Sequence, residues 1–128
     1  MSDKKSPFRL LVIDDEVDSL FTLKKLIESM GNFEVLTAST VDDGIKKSEF
    51  ADGILADINM PGKDKLTHFL EGVKIPVARF SGSETSAFNF MLHKPFTVTE
   101  LNECLDILKK FSKNNKDLES TIKDVISA

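Results

Sequence analysis

Polar residues with chemical potential stand where several apolar runs stop. Asp14 and Asp15 follow Arg9-Leu10-Leu11-Val12-Ile13, and Asp57 follows Ile54-Leu55-Ala56. Ser81 closes a run ending in Phe80, and Lys94 follows Phe90-Met91-Leu92-His93. If the three carboxylates meet, they cannot do so bare: two unit charges ~4 Å apart at an effective dielectric of about 20 repel by roughly 4 kcal/mol. A site of oxygen ligands without His or Cys suits a hard ion, and a partly hydrated Mg²⁺ fits it best. Lys94 adds a compact positive charge for a phosphate oxygen, and Ser81 a hydroxyl donor with Gly82 leaving room beside it. Carboxylate, divalent metal and lysine together stabilise phosphoryl transfer by position and charge. The plainer account makes Asp57 a turn residue before Met60-Pro61-Gly62, and Asp14-Asp15-Glu16 a solvated loop favouring the positive end of the next helix.

The elements that must bring these residues together follow from periodicity. Short apolar runs ending in turn signals read as strands buried on both faces: Arg9 to Ile13, Gly53 to Ile58, Ile75 to Phe80 and Phe90 to His93. Phe33 to Ala38 alternates as a strand. Between them, Leu20, Leu23, Ile27 and Met30 recur at helical spacing over Asp18 to Met30, with Gly31 as a stop. Ser39 or Thr40 is placed to cap a helix through about Phe50, with Ile45 and Phe50 among its buried contacts. Asp64 to Gly72 makes a short helix carrying Leu66, Phe69 and Leu70. Val98 to Lys113 makes another with Leu101, Cys104, Leu105, Leu108 and Phe111 on its apolar side. Five strands interleaved with four helices predict a parallel sheet with helices on both faces. All strand C-termini then share one edge, where ligands gather in open α/β sheets.

At 128 residues, 41% hydrophobic and 30% charged, one soluble domain with a real core is expected. A net charge of -4 and lysines scattered in ones and twos argue against nucleic-acid binding. The single cysteine, Cys104, excludes an intrachain disulfide and a cysteine-built zinc site. No run reaches the length of a membrane span and no signal peptide opens the chain, so a cytoplasmic protein is expected.

Taken together, Asp14-Asp15, Asp57 with Asn59-Met60-Pro61-Gly62, Ser81-Gly82 and Lys94-Pro95-Phe96 resemble the signature of the receiver domain of bacterial two-component response regulators (CheY-like). The resemblance covers Arg9 to Phe111. It implies a flavodoxin-like, doubly wound α/β fold with a five-stranded parallel sheet in the order 2-1-3-4-5. It also implies that Asp57 accepts a phosphoryl group from a sensor histidine kinase, a phosphotransfer protein or a small phosphodonor. Asp15 would ligate Mg²⁺ with Asp57, Asp14 would act mainly through coordinated water, and the Asn59 backbone carbonyl would be a further ligand. Lys94 would hold a phosphoryl oxygen, with a cis bond to Pro95, and Ser81 would move toward the phosphoryl group. Glu16 is a bystander at the metal. Such a protein is not an enzyme acting on other molecules; its chemistry is Mg²⁺-dependent self-phosphorylation and autodephosphorylation.

Two departures bear on output. Eight residues, 82–89, separate Ser81 from the fifth strand, whereas a parallel crossover usually takes a dozen or more. A loop or single turn is expected where the family has its fourth helix, and the third helix should be stubby. Met91 stands where the family carries Tyr or Phe, three residues before the lysine, and offers neither ring nor hydroxyl.

The domain boundaries expected are a disordered tail over 1–7, a receiver domain over 8–113 and a helical extension over 114–128. Leu101, Cys104, Leu108, Phe111, Asn115, Leu118, Ile122 and Val125 keep a three-four spacing, a seam of the kind that dimerises helices. A homodimer through the C-terminal helix is the favoured reading, and a second helix folding back on its own domain is the alternative. His68 and His93 lack ligand-spaced companions, and Cys104 reads as core. The leading function is a stand-alone phosphoacceptor that signals through contacts with a downstream protein. The alternative is a receiver-like interaction or dimerisation module working without phosphorylation. A metal-dependent phosphatase is disfavoured because no stretch supplies a separate substrate pocket.

Overall fold

The structure is a computed structural model that describes residues 7–57, 60–81, 90–93 and 97–114, with the backbone alone at 80–81, 90–93 and 111–114. The chain alternates strand and helix. β1 (Phe8–Ile13) leads to α1 (Val17–Met30), β2 (Phe33–Ala38) to α2 (Val41–Lys47), and β3 (Gly53–Asp57) to α3 (Lys63–Gly72). β4 (Val77–Ser81) and β5 (Phe90–His93) precede α4 (Val98–Asn114). The strands form one parallel sheet in the order β2-β1-β3-β4-β5.

Alternation along each strand splits the core into two layers. Leu10 and Val12 of β1, Leu55 of β3 and Ala78 of β4 face α1 and α4, meeting Leu20, Leu23, Ile27, Leu101, Cys104, Leu105 and Leu108. Leu11 and Ile13, Ile54 and Ala56, and Val77 face the other way, toward Val41, Leu66 and Leu70 of α2 and α3. Each fully buried Leu or Ile contributes roughly 1.5–3 kcal/mol relative to exposure. Two layers of them are what hold the sheet ends in place.

Local chemistry sets the helix ends. Thr40 accepts a hydrogen bond from the Asp43 N–H (3.1 Å) and starts α2. Thr97 and Glu100 form a reciprocal box at the head of α4: the Glu100 N–H donates to the Thr97 hydroxyl (3.0 Å) and the Thr97 N–H to the Glu100 carboxylate (2.8 Å). Gly62, at φ 84°, takes the left-handed conformation that opens α3, which a β-carbon disfavours. Gly44 lets α2 lie against β1, since a β-carbon there would sit 2.7 Å from Ile13 Cδ1.

Several expectations need correction. The second helix stops at Lys47 and tightens into a 3-10 turn over Ser48–Phe50. That turn rotates Phe50 to the surface, where it is 61% exposed rather than buried. β4 begins at Val77, not Ile75, because Pro76 has no N–H for the ladder; its carbonyl instead accepts from the Ile54 N–H (3.0 Å). α3 starts one residue earlier than expected, at Lys63, and ends at Gly72. The expected short connection at 82–89, the Lys94–Pro95 bond and the seam beyond Asn114 lie outside the described residues.

Candidate functional site

Strand register is what assembles the acidic residues. Ile13 of β1 lies opposite Ala56 of β3, so one step further along parallel strands Asp14 and Asp57 are level. Leu10, Val12 and Leu55 all face the α1/α4 layer, and the two-residue period carries Asp14 and Asp57 to that same side at the sheet's C-terminal edge. Asp15 follows in the β1–α1 connection. One carboxylate oxygen from each of the three lies within 4.8 Å of the others. Asp14 and Asp57 are buried, while Asp15 is exposed. An oxygen-only set combining two buried carboxylates and one solvent-facing carboxylate fits a hard divalent cation that keeps part of its water.

Asp14 is fixed at two points. Its N–H donates to the Ala38 carbonyl (3.1 Å), extending the β1–β2 pairing past the strand. Its Oδ1 accepts from the Glu16 N–H (2.9 Å). Glu16 also caps the entry to α1, its carbonyl accepting from the Leu20 N–H (3.1 Å) and its carboxylate from the Ser19 hydroxyl (2.7 Å). Glu16 is therefore engaged with the helix start. Asp57 ends β3 with Phe80 as its neighbour on β4.

Solved structures resemble this arrangement over most of its length. A response regulator receiver domain from Clostridium thermocellum is 26% identical, with a TM-score of 0.68, covering 84% of this chain and 98% of that one. A CheY-like receiver domain from Methanospirillum hungatei is 22% identical, with a TM-score of 0.71 over 87% of this chain and all of that one (100%). The receiver domain of a putative Luxo repressor protein from Vibrio parahaemolyticus is 14% identical at a TM-score of 0.74, covering 85% and 95%. This chain has the receiver-domain fold. No family model matches the sequence, and no curated protein does so either.

Within that receiver fold, the remaining expected site residues are placed less fully. The Ser81 backbone ends β4, opposite His93 at the end of β5, so the strand ends do share an edge with Asp57. Asn59 and Lys94 lie outside the described residues. His68 is exposed on α3. Cys104 is buried among the α1/α4 layer, and burial pushes its thiol up to about 12, which keeps it a neutral core residue.

One residue escaped sequence reasoning altogether. Arg79, inside β4, is 1% exposed. It sits opposite Ala56 and Met91 and, by alternation from Val77, faces the α2/α3 side. The signal was available: a charged residue inside a run destined for the middle of a sheet.

The first turns of α1 carry an apolar stripe beside the site. Val17 and Phe21 are 66% and 59% exposed, and the Lys25 ammonium lies 4.6 Å from the Phe21 ring centroid. Val17 comes two residues after Asp15, so the stripe borders the acidic cluster. Among the described residues no helix is long and apolar enough to cross a membrane.

Proposed function

We propose that this chain is a response-regulator receiver that takes a phosphoryl group onto Asp57 and signals by changing its contacts with other proteins in the cytoplasm. The observation carrying this reading is the convergence of Asp14, Asp15 and Asp57 within 4.8 Å at the C-terminal edge of a parallel sheet. The donor is a sensor histidine kinase or a phosphotransfer protein in a phosphorelay. The exposed Val17–Phe21 stripe gives such a partner an apolar surface to rest on next to the acceptor.

In the reaction an Asp57 carboxylate oxygen attacks phosphorus and forms the O–P bond. The bond from phosphorus to the donor's imidazole nitrogen breaks, the nitrogen keeps the electron pair, and the imidazole recovers a proton. Asp15, Asp57 and the Asn59 carbonyl would hold Mg²⁺, with Asp14 acting through water. When bound, that ion offsets the charge of the carboxylates and the phosphoryl oxygens. Asp14 serves as a rigid wall of the site, because both its backbone and one carboxylate oxygen are tied down. Lys94 takes a phosphoryl oxygen and Ser81 another. Water attack on phosphorus then breaks the same O–P bond and restores Asp57. No separate substrate is turned over.

Incubating the protein with Mg²⁺ and a small phosphodonor should give one phosphoryl adduct per chain by intact mass, absent in Asp57→Asn. An unmodified wild type under those conditions would leave the phosphorylation-independent module as the better reading.

A further inference from the structure

The edge strand β2 is closed by charged side chains from both helical layers. β2 lies at one end of the sheet, so one row of its backbone groups has no strand to pair with. The Asn32 and Ala38 carbonyls accept from Phe8 and Asp14 on the β1 side. In a parallel ladder alternate residues turn both groups the same way. Phe33, Val35 and Thr37 therefore present their N–H and C=O groups outward.

Four of those six outward groups have partners. The Phe33 N–H donates to Gly31 O (2.9 Å). The Val35 N–H donates to Glu28 Oε2 (3.0 Å), and Lys24 Nζ donates to Val35 O (3.2 Å). Lys24 and Glu28 also pair with each other at 2.8 Å, one helical turn apart on α1. From the opposite layer, Lys47 at the end of α2 donates to Thr37 O (2.6 Å) and is held by Asp43 (3.1 Å). Such a residue choice is unexpected for simple solubility: three side chains converge on three backbone groups of one strand.

We propose that Lys24, Glu28 and Lys47 guard the β2 edge against a second copy of this chain. An uncovered edge is a template for strand addition, and Phe33-Glu34-Val35-Leu36-Thr37-Ala38 is rich in residues that favour strands. Two copies related by a two-fold axis would present the same edge to each other, the simplest closed arrangement. With the guards in place, a partner strand must first displace charge-assisted hydrogen bonds that no backbone N–H or C=O improves on. Association of this protein is thereby directed away from β2. The inference does not depend on phosphorylation of Asp57.

The test is Lys24→Ala/Glu28→Ala/Lys47→Ala, compared with wild type by light scattering over a concentration series. The expected result is a doubling of mean mass relative to wild type at the same concentration, with circular dichroism showing a folded chain. Adding Thr37→Pro should return the mass to the wild-type value, because Pro removes an outward N–H without touching the β1 ladder. A folded triple variant with wild-type mass would overturn the proposal, as would association that Thr37→Pro does not reverse. Lys24→Ala/Glu28→Ala is measured alongside with the same criteria. If neither variant folds, the three residues are structural supports and the guard role is refuted.

Discussion

Burial within β4 pushes the Arg79 guanidinium below its ordinary pKa, and the carboxylate of Glu71 on α3 pulls it back up. Arg79 is thus a costly residue in a place where an apolar one would pack. Replacing a buried ion by an apolar side chain of similar volume is often neutral or stabilising, whereas truncation leaves a cavity. Arg79→Met is expected to unfold in urea at the wild-type midpoint or above it, by up to about 1–2 kcal/mol. Arg79→Ala should lose about 2–3 kcal/mol. A midpoint for the Met variant well below that of wild type would mean that Arg79 supplies contacts that packing cannot replace.

Glu28 makes the acid limb of stability partly a property of the β2 edge. Its pKa is lowered from 4.5, first by the Lys24 hydrogen bond and then by the Val35 N–H. A group with a depressed folded-state pKa stabilises the fold above its unfolded value and loses that contribution as pH falls through the folded value. The Glu28 contribution should therefore be complete above about pH 4.5 and disappear below it. Glu28→Gln should lower stability at neutral pH and flatten the decline below pH 4.5. Urea unfolding of both proteins from pH 7 to pH 3 measures this; parallel curves would remove Glu28 from the acid response.

The three clustered carboxylates should make the metal-free protein less stable than its neutralised variants. Within 4.8 Å and at an effective dielectric of about 20, one pair repels by roughly 3.5 kcal/mol or more before other charges offset it. Asp57→Asn is expected to raise stability in chelator by about 1 kcal/mol or more. Mg²⁺ should raise the melting temperature of the wild type, by linkage to the native state, and do so much less in Asp15→Asn. Calorimetry suits the measurement, since the chain has no Trp or Tyr to follow. A wild type whose Tm ignores millimolar Mg²⁺ would argue against the metal assignment.

If the Val17–Phe21 stripe is where a protein donor docks, a change there should separate docking from chemistry. Phe21 is 59% exposed, so Phe21→Ser should leave stability within about 0.5 kcal/mol. Its reaction with a small phosphodonor should be unchanged. Transfer from a protein donor should slow by roughly fivefold or more, the loss of about 1 kcal/mol typical of an anchoring aromatic. Equal rates with the protein donor would place docking elsewhere.

Much of the molecule was legible in its residue order, for a physical reason. Parallel strands buried on both faces need continuous apolar runs, and Leu10–Ile13 and Ile54–Ala56 are such runs, each ended by acids that cannot join the core. The helical spacing of Leu20, Leu23 and Ile27 and the burial of Cys104 followed from the same partition between water and core. What only the tertiary structure decided depends on non-local registration. The Ile13–Ala56 register makes Asp14 and Asp57 level, and no local pattern encodes which residues of two strands lie opposite. The exposure of Phe50 came from a helix tightening at Ser48 rather than from its hydrophobicity. Arg79 is buried because its neighbours on the strand are, overriding the preference of its own charge for water. Lys24, Glu28 and Lys47 reach β2 only because α1 and α2 flank that edge from opposite sides.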